Sequence, residues 1–528
     1  MQRSRKRHRP RVLKPSLRAD DSGIALIYVT IALPVIIGFA LLAIDVGRFS
    51  ALNSSLQHGA DSLAIAGAAE LDGSPTSITR SEDAMKQFVT QNTALFTSST
   101  AAIKWADVTT CYLSSLPASD ATPISNASCL STADSNSPFL AKFVRVVVQP
   151  KSYTTIFPVS ILGTLSNTTQ TAAEAVAGFQ AVACNFTPLY MCNPFEPTTG
   201  PTNSFDDYGL IAASKDPNQR KAAIKLIEAA SSGTATGVPG QFGYLDPSTG
   251  NGAKSLGEEI ASTRPEACFI INNLSTVKTG GMTSLVKAFN TRFDIYGGPY
   301  SKNDYPSAIN VRKGWDLKGA SCSGELSTDT SKFMAMPVDS CFKTSTCASG
   351  NRGNGDWKWE PELSKDVSFL DYWNVNFNYG GGSSGKAAPS PSALNLGTRT
   401  TSYTGAVAGS GFDTPPRYDV YLYENSTSLP GNKYLYEAKS KGGEVGNPQC
   451  SAGISNPDRR LIYGAVINCR AQGLQPGNGG YTAFAFAKFF IIRPMSEPPD
   501  VVLWTELVDV VRPGDGTGVA RDKVQLYR

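Results

Sequence analysis

Residues 24–44 read IALIYVTIALPVIIGFALLAI, 21 consecutive positions without a charge. As a helix rising about 1.5 Å per residue, this run reaches about 30 Å, the thickness of a bilayer's hydrocarbon core. Arg3, Arg5, Lys6, Arg7, Arg9, Arg11, Lys14 and Arg18 precede it, with His8 among them, whereas only Arg48 stands just beyond it. By the positive-inside rule this asymmetry keeps the short N-terminus in the cytoplasm and exports the large C-terminal part. A cleaved secretory signal has a shorter apolar region, about 7–15 residues, followed by a small-residue cleavage site. The residues after Ile44, Asp45-Val46-Gly47-Arg48-Phe49, offer no such site. The expectation is a retained single-pass anchor carried by Ile24, Tyr28, Leu33, Pro34, Ile37, Leu41 and Ile44.

Charge and composition bound what the rest can be. The formal net charge is +4, and the leader's eight basic residues less Asp20 and Asp21 leave the exported part about −2. That is no electrostatic footprint for nucleic acid. With 48 Gly and 33 Pro among 528 residues, the body reads as loop-rich and strand-rich rather than as a helical bundle. The ten cysteines all follow the anchor, an even count that suits an oxidising compartment. Near neighbours are the natural candidate disulfides: Cys111 with Cys129, Cys184 with Cys192, Cys341 with Cys347, Cys450 with Cys469. The only histidines are His8 and His58, so the main body has no base for a Ser-His-Asp or Cys-His nucleophile and no His-ligated zinc site. No cofactor is expected.

The helix does not stop at the membrane. Phe49, Leu52, Leu56, Leu63 and Leu71 recur at three-to-four-residue multiples, with Ala60 and Gly67 on the same stripe, until Asp72-Gly73 and Ser74-Pro75 stop it. Residues 24 to 71 read as one long helix, kinked at Pro34. Small residues such as Ala60, Ala64 and Gly67 let a helix or a sheet approach closely. Strands are expected at 143–148, 267–272, 417–423, 461–469, 484–493 and 501–511, an amphipathic helix at 217–230, and a flexible excursion at 380–411.

Three further stretches invite chemistry. Asp72-Gly73-Ser74-Pro75-Thr76 approaches a metal-binding Asp-x-Ser-x-Ser but reads as a helix-terminating turn. Residues 351–357, with Asn351, Asn354 and Asp356 spaced by glycines, have the look of a calcium loop without its ligand spacing, and read as a plain turn. Trp357, Trp359, Phe369, Tyr372 and Trp373 crowd together, either as an aromatic binding platform or, by preference, as core.

Ser22-Gly23-Ile24-Ala25-Leu26, Leu33-Pro34, Ile44-Asp45-Val46-Gly47-Arg48 and the run Leu56-Gln57-His58-Gly59-Ala60-Asp61 continuing through Ala64 to Gly67-Ala68 resemble the TadG-like proteins of bacterial Tad (Flp) pilus systems, relatives of the TadE/TadF minor pilins. More loosely, Pro188 to Glu196, Asn290-Thr291-Arg292-Phe293-Asp294 and Val524 to Arg528 resemble TadG-like ectodomains. In processed prepilins of this kind a Gly precedes the mature N-terminus and a Glu stands fifth after it; here Gly23 meets Tyr28. The resemblance therefore implies a pilus accessory rather than a filament subunit. It implies a bacterial inner-membrane protein whose partners are minor pilins or Tad assembly-platform proteins, met through the small-residue face of the helix.

The combined expectation is an α+β protein. Residues 1–23 form the basic cytoplasmic leader, 24–44 the transmembrane helix, and 45–72 its periplasmic, pilin-like continuation. Residues 73–183 are a first α/β part of the ectodomain, and 184–528 a β-rich, disulfide-containing periplasmic region. The function expected is structural and non-catalytic. The alternatives are an adhesin whose aromatic cluster holds an extracellular ligand and, more remotely, a tethered periplasmic hydrolase.

Overall fold

The computed structural model describes residues 22–527 apart from scattered segments, the longest being 92–102, 395–413 and 426–456. Helix α1 (Ser22–Ala68) is 47 residues long and runs unbroken through Pro34. Chain order continues with α2 (Ser77–Gln91), β1 (Val108–Leu113), α3 (Ser137–Leu140), β2 (Phe143–Thr154) and β3 (Thr168–Cys184). Then come β4 (Leu189–Cys192), α4 (Leu210–Lys215), α5 (Pro217–Arg220), β5 (Ala223–Glu228), β6 (Gln241–Leu245) and α6 (Ala253–Ala261). β7 (Cys268–Ile270), β8 (Val277–Lys278), α7 (Thr283–Asn290) and the hairpin β9 (Trp315–Lys318) with β10 (Ser323–Leu326) follow. α8 (Cys341–Thr344), β11 (Trp359–Glu360), β12 (Lys365–Asp366), α9 (Phe369–Asn376) and α10 (Arg417–Asn425) precede the last four strands. These are β13 (Leu461–Ile467), β14 (Ala485–Ile491), β15 (Val502–Val511) and β16 (Ala520–Leu526).

The first sheet is antiparallel in the order β1-β2-β3-β16, with β7 on the far end of β3. Strand β2 alternates as a half-covered strand must: Val144, Val146 and Val148 are buried while Arg145 and Val147 are only partly so. The buried side carries Ala173, Ala175 and Ala177 of β3, and on it lies the second half of α1 through Leu56, Ala60, Leu63, Ala64 and Ala68. Alanines on both elements bring helix and sheet close. Helix α2 closes the seam from the other side, where a Cβ on Gly67 would lie 2.8 Å from Met85 Sδ and 3.0 Å from Ser81 Oγ. The small-residue face of α1 is therefore covered by this chain's own sheet and α2. The expectation that partner proteins use that face is corrected.

The second sheet closes on itself. Its order is β4-β13-β14-β15-β5-β6-β8, and β4 also pairs with β6, making a six-stranded ring with β8 appended. One alternating set, including Leu189, Met191, Ile224, Leu226, Ile462, Val466 and Phe489, joins α4, α6 and α7 in a single apolar cluster. The opposite face splits. Tyr190, Ala465 and Phe486 pack toward the first sheet, while Ala223, Leu461, Phe490 and Trp504 pack against α9 and α10. The chain's last strand, β16, returns to pair with β3, so the N-terminal sheet is completed from the far end of the sequence.

Two element assignments are corrected. Of the expected helix at 217–230, the described residues 217–229 are helical only over α5; β5 is a strand wedged between β15 and β6, and its Ala223, Ile224 and Leu226 are buried on both faces. A site between two strands overrides local periodicity. Residues 417–423 alternate like a strand yet form α10, begun by Pro415-Pro416 and buried nearly all round. A segment covered on every side loses the contrast between faces that periodicity needs.

The cysteines separate in the same way. Cys111–Cys129 and Cys341–Cys347 join neighbours. Cys184 does not meet Cys192, nor Cys469 Cys450: the bonds are Cys184–Cys268 and Cys192–Cys469. Register decides both. Cys184 faces Cys268 across the β3–β7 pair, and Cys192 faces Ile467, two residues before Cys469, across the parallel β4–β13 pair. Cys322, Cys450 and most of the 380–411 excursion lie outside the described residues.

Candidate functional site

The first half of α1 is bare. Tyr28, Leu33, Ile37 and Ile44 are each about half exposed or more, Leu41 is partly covered, and Ile24 lies in the same helical run. The window from Leu26 onward is long and apolar enough to cross a membrane. At its end the helix meets the first sheet abruptly, at Asp45. This carboxylate is only 4% exposed, although the side chains around it on the helix are open.

What covers Asp45 is the tip of the β2–β3 hairpin. Its Oδ1 accepts from Tyr153 Oη at 2.7 Å and from the Ile156 N–H at 2.9 Å; its Oδ2 accepts from the Phe157 N–H at 2.6 Å. Two backbone donors in a turn have no ladder partner of their own, so a carboxylate supplied by α1 satisfies them. Arg48, one helical turn on, places a guanidinium nitrogen 3.9 Å from Asp45 and its Cζ 5.0 Å from the Tyr153 ring centroid. Burial raises the Asp45 pKa, but the N–H groups of Ile156 and Phe157, the Tyr153 hydroxyl and the Arg48 charge outweigh it and hold the carboxyl below its ordinary value. The Tyr153 phenol moves the other way, raised by burial and by the neighbouring carboxylate.

Further along the same helix, polar side chains key the contact. Asn53 Oδ1 accepts from Thr171 Oγ1 at 2.7 Å, and Gln57 Nε2 donates to the Glu174 carbonyl at 2.8 Å and to Asp61 Oδ1 at 2.8 Å. Asp45, Asn53, Gln57 and Asp61 are multiples of four residues apart, one stripe of the helix. The apolar stripe supplies the packing, and this polar stripe fixes rotation and register on β3. His58 points away and is exposed.

Residues 23–70 match the Flp pilus-assembly TadE/G-like family model. The matched span is α1 and the two residues after it, so it contains the bare half, the Asp45 clasp and the polar stripe together. Neither the curated proteins nor the solved structures yield a match to the chain. In the TadE/G-like segment Gly23 lies in the first turn of the helix, Tyr28 is exposed, and Ala60, Ala64 and Gly67 are core.

The body's other singled-out residues stabilise loops. The aromatic cluster is core: Trp357, Tyr372 and Trp373 have no exposed surface. The 351–357 loop delivers the Gly355 and Trp357 N–H groups to Asp339, which also accepts from the Ala223 N–H. Asp339 in turn pairs with Arg417 at 2.7 Å, and Arg417 with Glu506 at 3.4 Å, all three fully buried. Burial pushes the Glu506 carboxyl up to about 7 against the pull of Arg417. Glu360 and Glu362 likewise converge on Arg493, at 2.7 and 2.6 Å. Asp339, Glu360 and Glu506 are buried and, with the exposed Glu362, are held by arginines, unlike a pair of catalytic carboxylates facing a cleft. Among the described residues no group of three or more His, Cys, Asp or Glu is placed to hold a metal ion. At the turn of residues 72–76, Asp72 instead binds Arg80 and the Ser74 N–H.

Sequence reading found Asp45 and Arg48 as a pattern but missed Tyr153, Ile156 and Phe157, their partners more than 100 residues away. The available signal was an acid at the water boundary of an apolar run, where a charge without a partner is costly.

Proposed function

We propose that this protein is a membrane-anchored, non-catalytic accessory component of Tad (Flp) pilus assembly. It is held in the bacterial inner membrane by the first half of α1, with its N-terminus in the cytoplasm and its sheets in the periplasm. The observation that carries this reading is the division of α1. In the segment that matches the TadE/G-like model, the apolar half is uncovered and the other half is fastened to a folded body. The basic leader and the disulfides support the orientation. The partners proposed are minor pilins or assembly-platform proteins. They would meet surfaces other than the Ala60–Gly67 face, which the protein already uses internally.

Fractionation tests this reading. The protein should be recovered with the inner membrane, its body accessible to protease only from the periplasmic side, and its deletion should abolish assembled pili. Recovery in sheared pili would favour an adhesin instead, although the aromatic residues offered for that role are buried. The mature N-terminus reports processing: a chain beginning at Ile24 would mean pilin-type cleavage, an intact leader a permanent anchor.

A further inference from the structure

A cavity of about 610 Å³ opens where the loop after α6, the turn after α7 and the start of β13 meet. Its charged lining is Arg264, Arg292 and Arg459 against one acid, Asp458. Arg292 is 2% exposed, yet its Nε and Nη1 have no hydrogen-bond partner. Its guanidinium lies 5.6 Å from the Phe289 ring centroid, an apolar neighbour. Arg459 is also buried and donates to neutral acceptors alone: the carbonyls of Pro306 (2.9 Å), Ser262 (3.1 Å) and Ala261 (2.8 Å), and Thr291 Oγ1 (3.2 Å). Among the described residues no carboxylate lies within ion-pair distance of Arg292 or Arg459, whereas the buried Arg417 and Arg493 each have two.

Two buried guanidinium groups lining one cavity with no carboxylate at ion-pair distance are unfavourable, because each charge is desolvated and each repels the other. Burial and the Arg459 charge hold the Arg292 pKa well below its ordinary value, and burial lowers that of Arg459 to about 10. A guanidinium that no carboxylate holds suits a carboxylate or phosphate oxyanion. Arg264, exposed at the rim, adds a third cation.

We infer that this cavity binds a small ligand through an oxyanion group, with Arg292 as the buried anchor, Arg459 as the fixed charge behind it and Arg264 at the mouth. The site is independent of the pilus-assembly reading and stands or falls separately.

The test uses the full chain in detergent micelles, titrated with inorganic phosphate or with acetate at constant ionic strength set by chloride. Thermal unfolding is the readout. Expected is a saturable rise in midpoint with one or both anions, a loss of apparent affinity of about tenfold in Arg264→Gln, and no saturable rise in Arg292→Gln. Saturation by phosphate alone assigns a phosphate ligand, and by acetate alone a carboxylate. Should Arg292→Gln fail to fold, Arg264→Gln decides, since its side chain is exposed. No saturable shift with either anion, or an unchanged shift in Arg264→Gln, overturns the inference.

Discussion

Ala64→Asp separates two roles for the small-residue face of α1. Ala64 has no exposed surface and belongs to the cluster that joins the helix to Val146 and Ala175 of the first sheet. An Asp there is forced to bury a polar group, at about 1–3 kcal/mol by mutational measure. It also crowds a close-packed seam, for another ~1–3 kcal/mol. Together about 2–6 kcal/mol is a large part of the roughly 5–15 kcal/mol that holds a domain. Ile65, the next residue, is 43% exposed, so Ile65→Asp introduces the same charge into the helix without the burial and at a smaller helix-propensity cost. In thermal unfolding of the full chain in micelles, Ala64→Asp should lower the midpoint by on the order of 10 °C, and Ile65→Asp should change it little. Equal midpoints for the two variants, with Ala64→Asp losing only its co-purifying partners, would refute the intramolecular seam.

Peptide mapping without reduction should recover Cys184 joined to Cys268 and Cys192 to Cys469, and replacing Cys192 and Cys469 together by Ala should cost about 2–4 kcal/mol. Glu506 titrates at about 7 in the folded chain against an ordinary 4.5. The native state thus holds its proton more tightly, and the stability this gives is full below the ordinary value and lost as pH rises through 7. The shift corresponds to about 3 kcal/mol, so denaturant unfolding at about pH 5 and about pH 8 should differ by that order, and Glu506→Gln should flatten the difference. Asp45→Asn exchanges one acceptor oxygen for a donor facing an N–H group. Limited proteolysis should then cut the β2–β3 tip faster while leaving the second sheet's protection unchanged; equal cleavage rates would count against the clasp.

The sequence made α1 legible because its signals are local: an uncharged run, a periodic stripe and a Gly-Pro stop. The strands at 143–148, 461–469, 484–493 and 501–511 were legible too, as apolar runs of the right length. What it hid depends on pairing. Cys192 and Cys469 are 277 residues apart, and only the parallel register of β4 on β13 makes them neighbours. Segments covered on all sides, such as α10, lose their facial contrast and with it their periodicity. The Asp45 site was half legible, since the helix residues announce themselves and the backbone N–H groups that answer them carry no sequence signature. Arg292 stood in a stretch already marked as distinctive, but nothing in the sequence says that its donors lie buried and unpaired.

The clasp constrains how the anchor can move. Phe157 Cε2 lies 3.5 Å from where a Gly38 Cβ would be, and Gly38 precedes Asp45 by seven residues, about 10 Å along the helix. The hairpin tip therefore lies alongside the last two turns of the apolar run, and Ile156 beside it is 49% exposed. A Cβ at Gly38 would make ordinary contact with the aromatic ring, so only a side chain reaching beyond Cβ would push it away. Asp45 then fixes the hairpin's backbone where the apolar run ends, and Asn53 and Gln57 fix the helix's rotation on β3. Sliding α1 along its axis, or turning it, would break these contacts as a set. Any displacement of the anchor relative to the bilayer must carry the first sheet with it, and through the apolar cluster that takes in Tyr190, Ala465 and Phe486 that sheet is tied to the second.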